Sequence, residues 1–541
     1  MSKYYDNKVV YRNGEMILPK NNDNLDNLSD STIAYQILSK HNFSENRKSL
    51  QLKFDALASH DITYVGIIQS ALASGLKKFP IPYVLTNCHN SLCAVGGTIN
   101  SDDHNFGLSA VKKFGGEFVP AHIGVIHQYM REMYAGCGKM ILGSDSHTRY
   151  GALGTVAIGE GGGELVKQLL SDTYNVSRPE VVAIHLTGVL PKHCGPMDVA
   201  LSLIGLVYEN GLVKNKILEF VGSGIETLSM DYRNAIDVMT TETACLSSIW
   251  ETDEKTYDFL ELHGRGEDYK KLVADNCMYD SYISINLSEI KPMIALPFHP
   301  SNVYEIEEVL KNPVPIFEKV NQNAKKLFEN NKNIEFDLRD KIIDEGIMVT
   351  QAVIGGCAGG IYENVVGALE IIKALGVKNN ELPLNVYPSS QAEYLELSRK
   401  GYVADLIFSG ATVKTAICGP CFGAGDVPNY KGFSIRHNTR NFPNREGAKP
   451  SESQVASVAL MDAKHISATY CNVGYLRSAE GVEVIELNKT RSFDKTIYDT
   501  KVINYIGKED NSIELVFAPS IAPWPKLEAM TDNILLEVAA S

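Results

Sequence analysis

The segment AICGPCFGAGD (416–426) carries two cysteines, Cys418 and Cys421, on either side of a Gly-Pro pair. Three chemistries use this spacing: a dithiol redox centre, a zinc site and an iron–sulfur cluster. The CGPC tetrapeptide matches a redox dithiol. The loop-like residues that follow it, and the lack of a compact βαβ domain around it, argue against that use.

A third cysteine has similar surroundings. Cys357 lies in GGCAGG (355–360), where glycines would let the backbone approach a bulky ligand closely. This loop leads into the predicted helix ENVVGALEIIKALG (363–376), whose amino end favours an anion such as a ligated thiolate. Zinc needs four ligands, or three and a water molecule, so three cysteines leave both zinc and an iron–sulfur cluster open.

The other seven cysteines lie singly along the chain, and we interpret each as a plain buried thiol. They are Cys88, Cys93, Cys137, Cys194, Cys245, Cys277 and Cys471.

Polar residues follow directly after several predicted strands. Asn87, Cys88 and His89 follow IPYVLT (81–86); Ser144, Asp145, Ser146 and His147 follow KMIL (139–142); Gly355, Gly356 and Cys357 follow VTQAVI (349–354). In open parallel sheets, ligands bind beyond the carboxyl ends of the strands. We therefore expect these loops to face one crevice.

Composition limits what such a crevice can serve. The chain has 541 residues, 44% of them apolar and 21% charged, which predicts a folded protein of three to four domains. A net charge of −14 argues against a nucleic-acid binder. An acidic protein that binds an anionic substrate must place a few arginines in its pocket. No signal peptide or long apolar run is present, which predicts a cytoplasmic protein with reduced cysteines and no membrane association.

Apolar strand candidates alternate with helical patterns, which predicts a parallel α/β fold. We predict helix and coil for the first 50 residues and a charged surface connector for 305–348. Further strand candidates are LPLNVY (382–387) and ADLIFSG (404–410), and VIHQYMREMY (125–134) is predicted to be helical. GEGGGE (159–164) is interpreted as a strand-to-helix turn, although it resembles a dinucleotide-binding loop.

Four segments together resemble the signature segments of the aconitase and isopropylmalate isomerase superfamily, in that family's order. They are GSDSHTRYGALGTVAIGEGG (143–162), VIGGCAGGIYEN (353–364), CGPCFGAGD (418–426) and RNFPNR (440–445). The resemblance covers about residues 60 to 480 and implies three α/β domains with mainly parallel sheets around a central cleft. The boundaries expected from it are 1–183, 184–300 and 301–518, with 519–541 as a linker.

The resemblance also implies a 4Fe–4S cluster held by Cys357, Cys418 and Cys421. Three ligands for four irons leave one iron free to act as a Lewis acid on a substrate hydroxyl and carboxylate. The implied activity is that of a hydro-lyase, which removes water reversibly from a hydroxy acid. By motif position, His89, His127, Asp145, His147 and Glu242 would handle protons and water. Arg440, Arg445 and Ser146 would bind the substrate.

Several pocket positions depart from the family pattern. Cys88 replaces the aspartate that usually pairs with the following histidine, Val238 and Thr439 replace asparagines, and the usual glutamine falls at Tyr64 or Val65. Lost hydrogen bonds of this kind change substrate selectivity. We therefore expect a hydroxy-carboxylate substrate other than citrate, and we expect His89 to lack its orienting carboxylate.

Family enzymes use a further swivelling domain or a small subunit, which supplies a serine base. No Ser-Arg loop of that kind is visible after residue 490. The last residues, APSIAPWPKLEAMTDNILLEVAAS (518–541), are interpreted as a linker and a short helix. Three explanations are open at this point: a partner supplies this domain, the sequence is a truncated form of a longer protein, or the protein no longer catalyses the family reaction. The alternatives are an iron–sulfur sensing protein without turnover and a scaffold without a cluster.

Overall fold

The computed structural model describes residues 2–93, 96–331, 333–344, 346–379 and 381–525, and it is a mixed α/β structure built on three main sheets. Up to residue 180 the elements are β1 Lys3–Tyr5, β2 Val9–Arg12, β3 Glu15–Ile17, α1 Leu25–Asp30, α2 Ile33–His41, β4 Ser49–Leu52, β5 Ala56–His60, α3 Tyr64–Ala73, β6 Tyr83–Thr86, α4 Ile99–Phe114, β7 Glu117–Val119, α5 Ile126–Met133, β8 Met140–Gly143, β9 Val156–Gly159, α6 Gly162–Leu169 and β10 Tyr174–Ser177. The middle of the chain contains β11 Val181–Thr187, α7 Pro196–Val207, β12 Ile217–Val221, α8 Met230–Met239, β13 Ser247–Trp250, α9 Glu254–Leu262, β14 Cys277–Tyr279 and β15 Ser281–Asn286.

The remaining elements are β16 Met293–Ala295, β17 Val303–Glu305, α10 Ile306–Lys311, α11 Pro313–Leu327, β18 Ile342–Ile343, β19 Gly346–Ile347, β20 Gln351–Ile354, α12 Gly356–Gly359, α13 Tyr362–Leu375, β21 Leu384–Val386, α14 Gln391–Arg399, α15 Tyr402–Phe408, β22 Thr412–Val413, α16 Gly419–Phe422, β23 Phe433–His437, β24 Ser457–Met461, α17 Ala463–Cys471, α18 Thr496–Lys501 and β25 Ile503–Asn504.

The first main sheet has the strand order β25-β7-β6-β5-β8-β9, and all of it is parallel except β25. All four residues of β6 (YVLT) and of β8 (MILG) are buried, which explains their unbroken apolar runs. Because β5, β6 and β8 are parallel neighbours, the loops after them leave the sheet at the same edge.

The second main sheet, β1-β15-β11-β12-β13, is parallel apart from β1. The third is β17-β16-β24-β23-β20-β21-β22, in which β24, β23, β20, β21 and β22 are parallel. Helices pack on one another and on the sheets: α13 packs against α17, and α17 packs against β20 and β23 of the third sheet. The α/β class with mainly parallel sheets is confirmed, and the domain boundaries remain a prediction.

Most predicted elements are present within a few residues of their expected bounds. The predicted strands at 81–86, 139–142, 349–354 and 382–387 are β6, β8, β20 and β21, and the predicted helices are α5 and α13. The turn at 159–164 joins β9 to α6, as expected.

The prediction of a strand at 404–410 is wrong, because these residues belong to α15 and the turn after it. The buried residues of α15, Tyr402 and Leu406, are four apart, which is the spacing of one helix face. Ile407 and Phe408 are 58% and 89% exposed, so the apolar run LIF does not mark a buried strand.

Two further segments differ from expectation. The first 50 residues contain three strands in addition to helices, and β1 pairs with β15. The segment 305–348 is more than a surface connector, because Phe317 and Val320 of α11 are fully buried in the core beside the third sheet. The prolines of this segment stand at the start of α11. They lie in the first turn of the helix, where no amide hydrogen is needed.

The end of the chain returns to the first sheet, where β25 pairs with β7. The short helix predicted near the carboxyl end lies outside the described residues, as does most of the predicted linker 519–541. Within the described residues, no helix combines the length and the apolar character that a membrane span needs.

Candidate active site

The loops after β5, β6, β8, β20 and β23 meet at a single cavity of about 610 Å³. The first three leave the first sheet and the other two leave the third sheet, so the cavity lies between these two parts of the molecule. The residues that line it are His60, Ile62, His89, His127, Ser144, Asp145, Ser146, His147, Gly159, Glu160, Gly161, Cys357, Cys418, Cys421, Phe422, Thr439, Arg440 and Arg445. The expected convergence of the post-strand loops is thus present.

Asp145 lies at the centre of a group of histidines. Its Oδ1 is 3.0 Å from Nε2 of His127 and accepts the backbone N–H of His147 at 2.7 Å. Its Oδ2 is 3.1 Å from Nε2 of His89 and 3.7 Å from Nε2 of His60. Burial alone would raise the pKa of Asp145, but these imidazoles hold it well below its usual value. Asp145 is therefore a carboxylate in this site.

The histidines around Asp145 differ in their affinity for protons. Burial lowers the pKa of His60 to about 3 and that of His127 to about 4, in spite of the nearby carboxylate. Burial also opposes the charged form of His89, but the negative charge of the Cys88 thiolate and of Asp145 outweighs it and raises the pKa of His89 to about 10. One imidazole of the group thus readily holds a proton while its neighbours stay neutral.

A second chain of contacts joins His147, Glu242 and Arg440, which lie in three separate segments of the sequence. Nε2 of His147 lies 2.7 Å from Oε1 of Glu242, and Nε of Arg440 donates to the same oxygen at 2.8 Å. Burial raises the pKa of Glu242, but His147 and Arg440 more than reverse this and lower it. Nδ1 of the same ring lies 3.4 Å from Oδ1 of Asp145, so Glu242 is the closer carboxylate partner of His147.

Arg445 lines the cavity, and no carboxylate of the described residues pairs with it. In the described part of the chain, its side chain makes no ion pair, whereas Arg440 is paired with Glu242. Burial and the neighbouring Arg440 both lower the pKa of Arg445. A half-buried guanidinium without an anion favours a bound carboxylate, which it can hold with two parallel hydrogen bonds.

The three predicted ligand cysteines line the same cavity. Cys357 lies in the short helix α12 after β20, Cys418 is the N-cap residue of the short helix α16, and Cys421 lies within α16. Burial raises the pKa of Cys421 to about 11, against a backbone hydrogen bond from Thr439, and burial also raises the pKa of Cys357. Gathered, buried thiols of this kind need a metal group to hold them as thiolates.

Glycine makes room beside these thiols. Gly356 has φ +71°, and a Cβ atom there would lie 2.9 Å from Sγ of Cys421. A side chain at this position would fill the space between two of the cysteines. The donor set and this open space fit an iron–sulfur cluster held by Cys357, Cys418 and Cys421.

Arg436, which sequence reasoning missed, holds the CGPC loop in place. It is 1% exposed and donates to the carbonyl oxygens of Pro420 and Asp426, both at 2.6 Å, and to Gln351 at 3.0 Å. These bonds fix the backbone on both sides of Cys421. No local signal marks Arg436, because its partners come from other segments.

His60 and Tyr150 were missed as well. His60 ends β5, and its ring stacks on that of His89 with centroids 3.7 Å apart. The hydroxyl of Tyr150 lies 3.0 Å from Nδ1 of His127. His60 follows the same post-strand rule as the predicted loops, so that rule could have found it.

The expectation that His89 lacks a carboxylate is wrong, since Asp145 from the next loop lies beside its ring. Tyr64 is buried and donates to Asn87 at 2.7 Å. Neither Tyr64 nor Val65 lines the cavity, and Val238 is buried in the core, also away from it. Of these departures, Thr439 alone lies in the cavity lining.

Two of the seven cysteines interpreted as plain buried thiols do not fit that description. Cys93 is exposed. Cys88 is fully buried, but its Sγ lies 3.8 Å from that of Cys418 and 3.4 Å from Nδ1 of His89. Cys137, Cys194, Cys245, Cys277 and Cys471 are buried as expected.

Comparison with known proteins agrees with this geometry. A family model described as the aconitase family (aconitate hydratase) matches residues 35–468. Over 369 residues the chain is 31% identical to the 3-isopropylmalate dehydratase large subunit 2 of Archaeoglobus fulgidus, covering 68% of this chain and 80% of that protein. It is 30% identical over 358 residues to the 2,3-dimethylmalate dehydratase large subunit of Eubacterium barkeri, covering 64% and 75%.

A mitochondrial aconitate hydratase from Gracilaria gracilis is 28% identical over 449 residues, which cover 78% of this chain and 53% of that protein. The chain thus spans about half the length of the aconitate hydratase, and three quarters or more of the two large subunits.

Proposed function

The chain belongs to the aconitase family, and from this premise we propose that it is the core of an iron–sulfur hydro-lyase that acts on a hydroxy acid with carboxylate groups. One observation carries the proposal: a single cavity brings together three cysteines, a set of histidines and carboxylates, and an arginine without an ion-pair partner among the described residues. The metal ligands, the proton carriers and the anion-binding group are thus within reach of one small molecule.

Cys357, Cys418 and Cys421 would hold a 4Fe–4S cluster. When bound, such a cluster supplies one iron with open positions, which is a Lewis acid for the hydroxyl and a carboxylate of the substrate. The three cysteines line the cavity wall, and Arg436 and the glycine-rich loops would keep them there to hold the cluster.

The histidine and carboxylate groups would move protons. Loss of hydroxide needs a proton donor, and His89, His127 and His147 all contact Asp145 within 3.4 Å. Glu242 lies 2.7 Å from Nε2 of His147 and 2.8 Å from Nε of Arg440, so this carboxylate would hold the His147 ring in position. Asp145 would keep the imidazoles oriented while the proton is transferred.

Arg440, Arg445 and Ser146 would bind the substrate. Arg445 is the stronger candidate for the main carboxylate contact, because Arg440 already has an anionic partner in Glu242. Ser146 is exposed in the cavity lining, and its hydroxyl could donate to a second oxygen of the ligand. The apolar side chains of Ile62 and Phe422 complete the wall and favour a substrate with an alkyl group over citrate.

A partner would complete the site. Two relatives are named large subunits of dehydratases, and this chain matches most of their length. We infer that a small subunit or a swivel domain supplies the base that removes the proton from carbon. We also place the protein in the cytoplasm and assign the units 1–183, 184–300 and 301–518 to three domains, with 519–541 leading towards the partner.

An anaerobic assay tests this function. The chain, reconstituted with iron and sulfide and mixed with a dehydratase small subunit, is given 3-isopropylmalate, 2,3-dimethylmalate, malate and citrate in turn. Dehydration forms a conjugated alkene, which is followed by its ultraviolet absorbance. We expect turnover of an alkyl-substituted hydroxy acid. A cluster-loaded chain that binds a partner but turns over none of these acids would instead favour a sensing protein.

A further inference from the structure

We propose that Cys88, His89 and Cys418 form a mononuclear zinc site in the cluster-free chain. The two Sγ atoms and one imidazole nitrogen all lie within 4.8 Å of one another. Cys88 and Cys418 are buried, and the His89 side chain is 11% exposed. One imidazole nitrogen and two cysteine sulfurs are donors of the types that Zn²⁺ binds.

The distances match those of a tetrahedral zinc ion. With Zn–S of about 2.3 Å and Zn–N of about 2.0 Å, tetrahedral angles place two sulfurs about 3.8 Å apart, and a sulfur and a nitrogen about 3.5 Å apart. Sγ of Cys88 lies 3.8 Å from Sγ of Cys418 and 3.4 Å from Nδ1 of His89. Two of the three donor pairs therefore have the spacing of ligands on one small cation, and the third pair, His89 and Cys418, lies within 4.8 Å.

Neighbouring groups support these donors in the way that metal ligands need. Nε2 of His89 faces Oδ2 of Asp145 at 3.1 Å, which leaves Nδ1 to face Cys88. A carboxylate behind a ligating imidazole fixes the ring and strengthens its binding. The backbone N–H of Ile126 donates to Sγ of Cys88 at 3.3 Å, which stabilises a thiolate there.

Three protein ligands leave the fourth zinc position open towards the cavity, which all of these residues except Cys88 line. Water or a carboxylate could occupy that position. Cys418 is also one of the three proposed cluster ligands, so the zinc site and the cluster exclude each other. Only this competition depends on the proposed function. The zinc site itself stands on the geometry of the three donors.

Cobalt is a visible probe for the site. Chelator-stripped protein, kept anaerobic with a non-thiol reductant, is titrated with Co²⁺ and then with Zn²⁺. We expect thiolate-to-cobalt charge-transfer bands and strong visible bands of a tetrahedral ion at one Co²⁺ per chain, and we expect Zn²⁺ to remove them. If neither the charge-transfer bands nor the visible bands develop, the proposal is wrong.

Matched variants separate this site from the cluster ligands. Cys88→Ser is expected to weaken Zn²⁺ binding more than about 100-fold, since loss of an outer-shell partner alone costs 10- to 100-fold. Cys421→Ser, which removes a proposed cluster ligand, and Cys471→Ser, a buried thiol elsewhere, should each stay within about threefold of the unmodified chain. Strong loss in Cys421→Ser with none in Cys88→Ser would overturn the proposal, because zinc would then occupy the cluster cysteines.

X-ray absorption at the zinc edge decides the same question without a substitution, in case Cys88→Ser does not fold. We expect a zinc shell with two sulfurs at about 2.3 Å and nitrogen or oxygen at about 2.0 Å. A shell of three sulfurs would contradict the site. Iron content and turnover enter neither measurement, so failure here is distinct from failure of the hydro-lyase.

Discussion

Asp145 Oδ2 lies 3.1 Å from Nε2 of His89, and this contact joins two loops that leave neighbouring parts of the first sheet. His89 follows β6, Asp145 follows β8, and β5 runs between them. The carboxylate missing from the loop of His89 is therefore supplied across the sheet. The same Asp145 also faces His127, which makes it the anion that these two histidines share.

This arrangement predicts a large effect of Asp145→Asn. The amide removes the negative charge that orients His89 and His127, so proton transfer to the leaving hydroxyl should suffer most. We expect kcat to fall by about 10²- to 10⁴-fold, the usual contribution of a positioned acid–base group. The measurement is steady-state dehydration at saturating substrate, with iron per chain determined in parallel. A kcat within threefold of the unmodified enzyme would remove Asp145 from the mechanism.

Arg445→Lys should weaken substrate binding. Lysine keeps the charge but loses the planar pair of donors that fits a carboxylate. We expect KM to rise about tenfold, which corresponds to about 1.4 kcal/mol, with a smaller change in kcat. Arg477→Lys, outside the cavity lining, is the control. An unchanged KM in Arg445→Lys would mean that this arginine does not contact the substrate.

Arg436→Lys should loosen the CGPC loop. The lysine cannot reach the carbonyl oxygens of Pro420 and Asp426 together, and buried acceptors without donors cost about 1–3 kcal/mol each. We expect a lower thermal midpoint and faster loss of iron to a chelator. Arg339→Lys is the matched control, because Arg339 is an exposed arginine whose partner, Asp337, is also on the surface. Equal iron-loss rates in the two variants would contradict the role of Arg436.

Much of this site could be predicted from sequence because it follows one local rule. A buried parallel strand gives an apolar run in the sequence, and the residues after it must lie at the carboxyl edge of the sheet. This rule predicted that His89, Asp145, His147 and Cys357 face one crevice, and all four line the cavity. His60 escaped because β5, ALASH, is rich in small residues and gives a weaker apolar pattern.

Contacts between distant segments could not be predicted in this way. Glu242 and Arg440 are 198 residues apart in the sequence. Arg436 lies in β23 and Pro420 in α16, and their hydrogen bond forms only when the chain folds. The family resemblance pointed to Glu242 and Arg440 as site residues, but it gave no ion pair between them. The error at 404–410 has a different cause, since three adjacent apolar residues fit a strand and a half-exposed helix equally well.

Stability should depend on pH through Glu251, a carboxyl away from the active-site cavity. Burial raises its pKa from the ordinary 4.5 to about 7, although it accepts backbone N–H groups from Gly222 and Ala274 at 3.1 and 3.0 Å. The folded state thus keeps a proton that the unfolded state releases. The contribution to stability is complete below about pH 4.5 and is lost as the pH rises through about 7.

Glu251→Gln imitates the protonated group at every pH. The thermal midpoint of the variant, relative to the unmodified protein, should therefore rise between pH 5 and pH 8. Glu329→Gln, an exposed carboxyl in the turn after α11, serves as the control and should show no such trend. A constant or falling difference for Glu251→Gln would show that the folded protein does not hold this proton.

The central claim is that Cys357, Cys418 and Cys421 hold an iron–sulfur cluster that a hydroxy acid can reach. Iron and acid-labile sulfide per chain, with an electron paramagnetic resonance spectrum, test it most directly on protein purified without oxygen. We predict about four of each, a signal that changes when a hydroxy acid is added, and loss of both in Cys421→Ser. Absence of iron and sulfide after anaerobic reconstitution, or a full complement in Cys421→Ser, would contradict the claim.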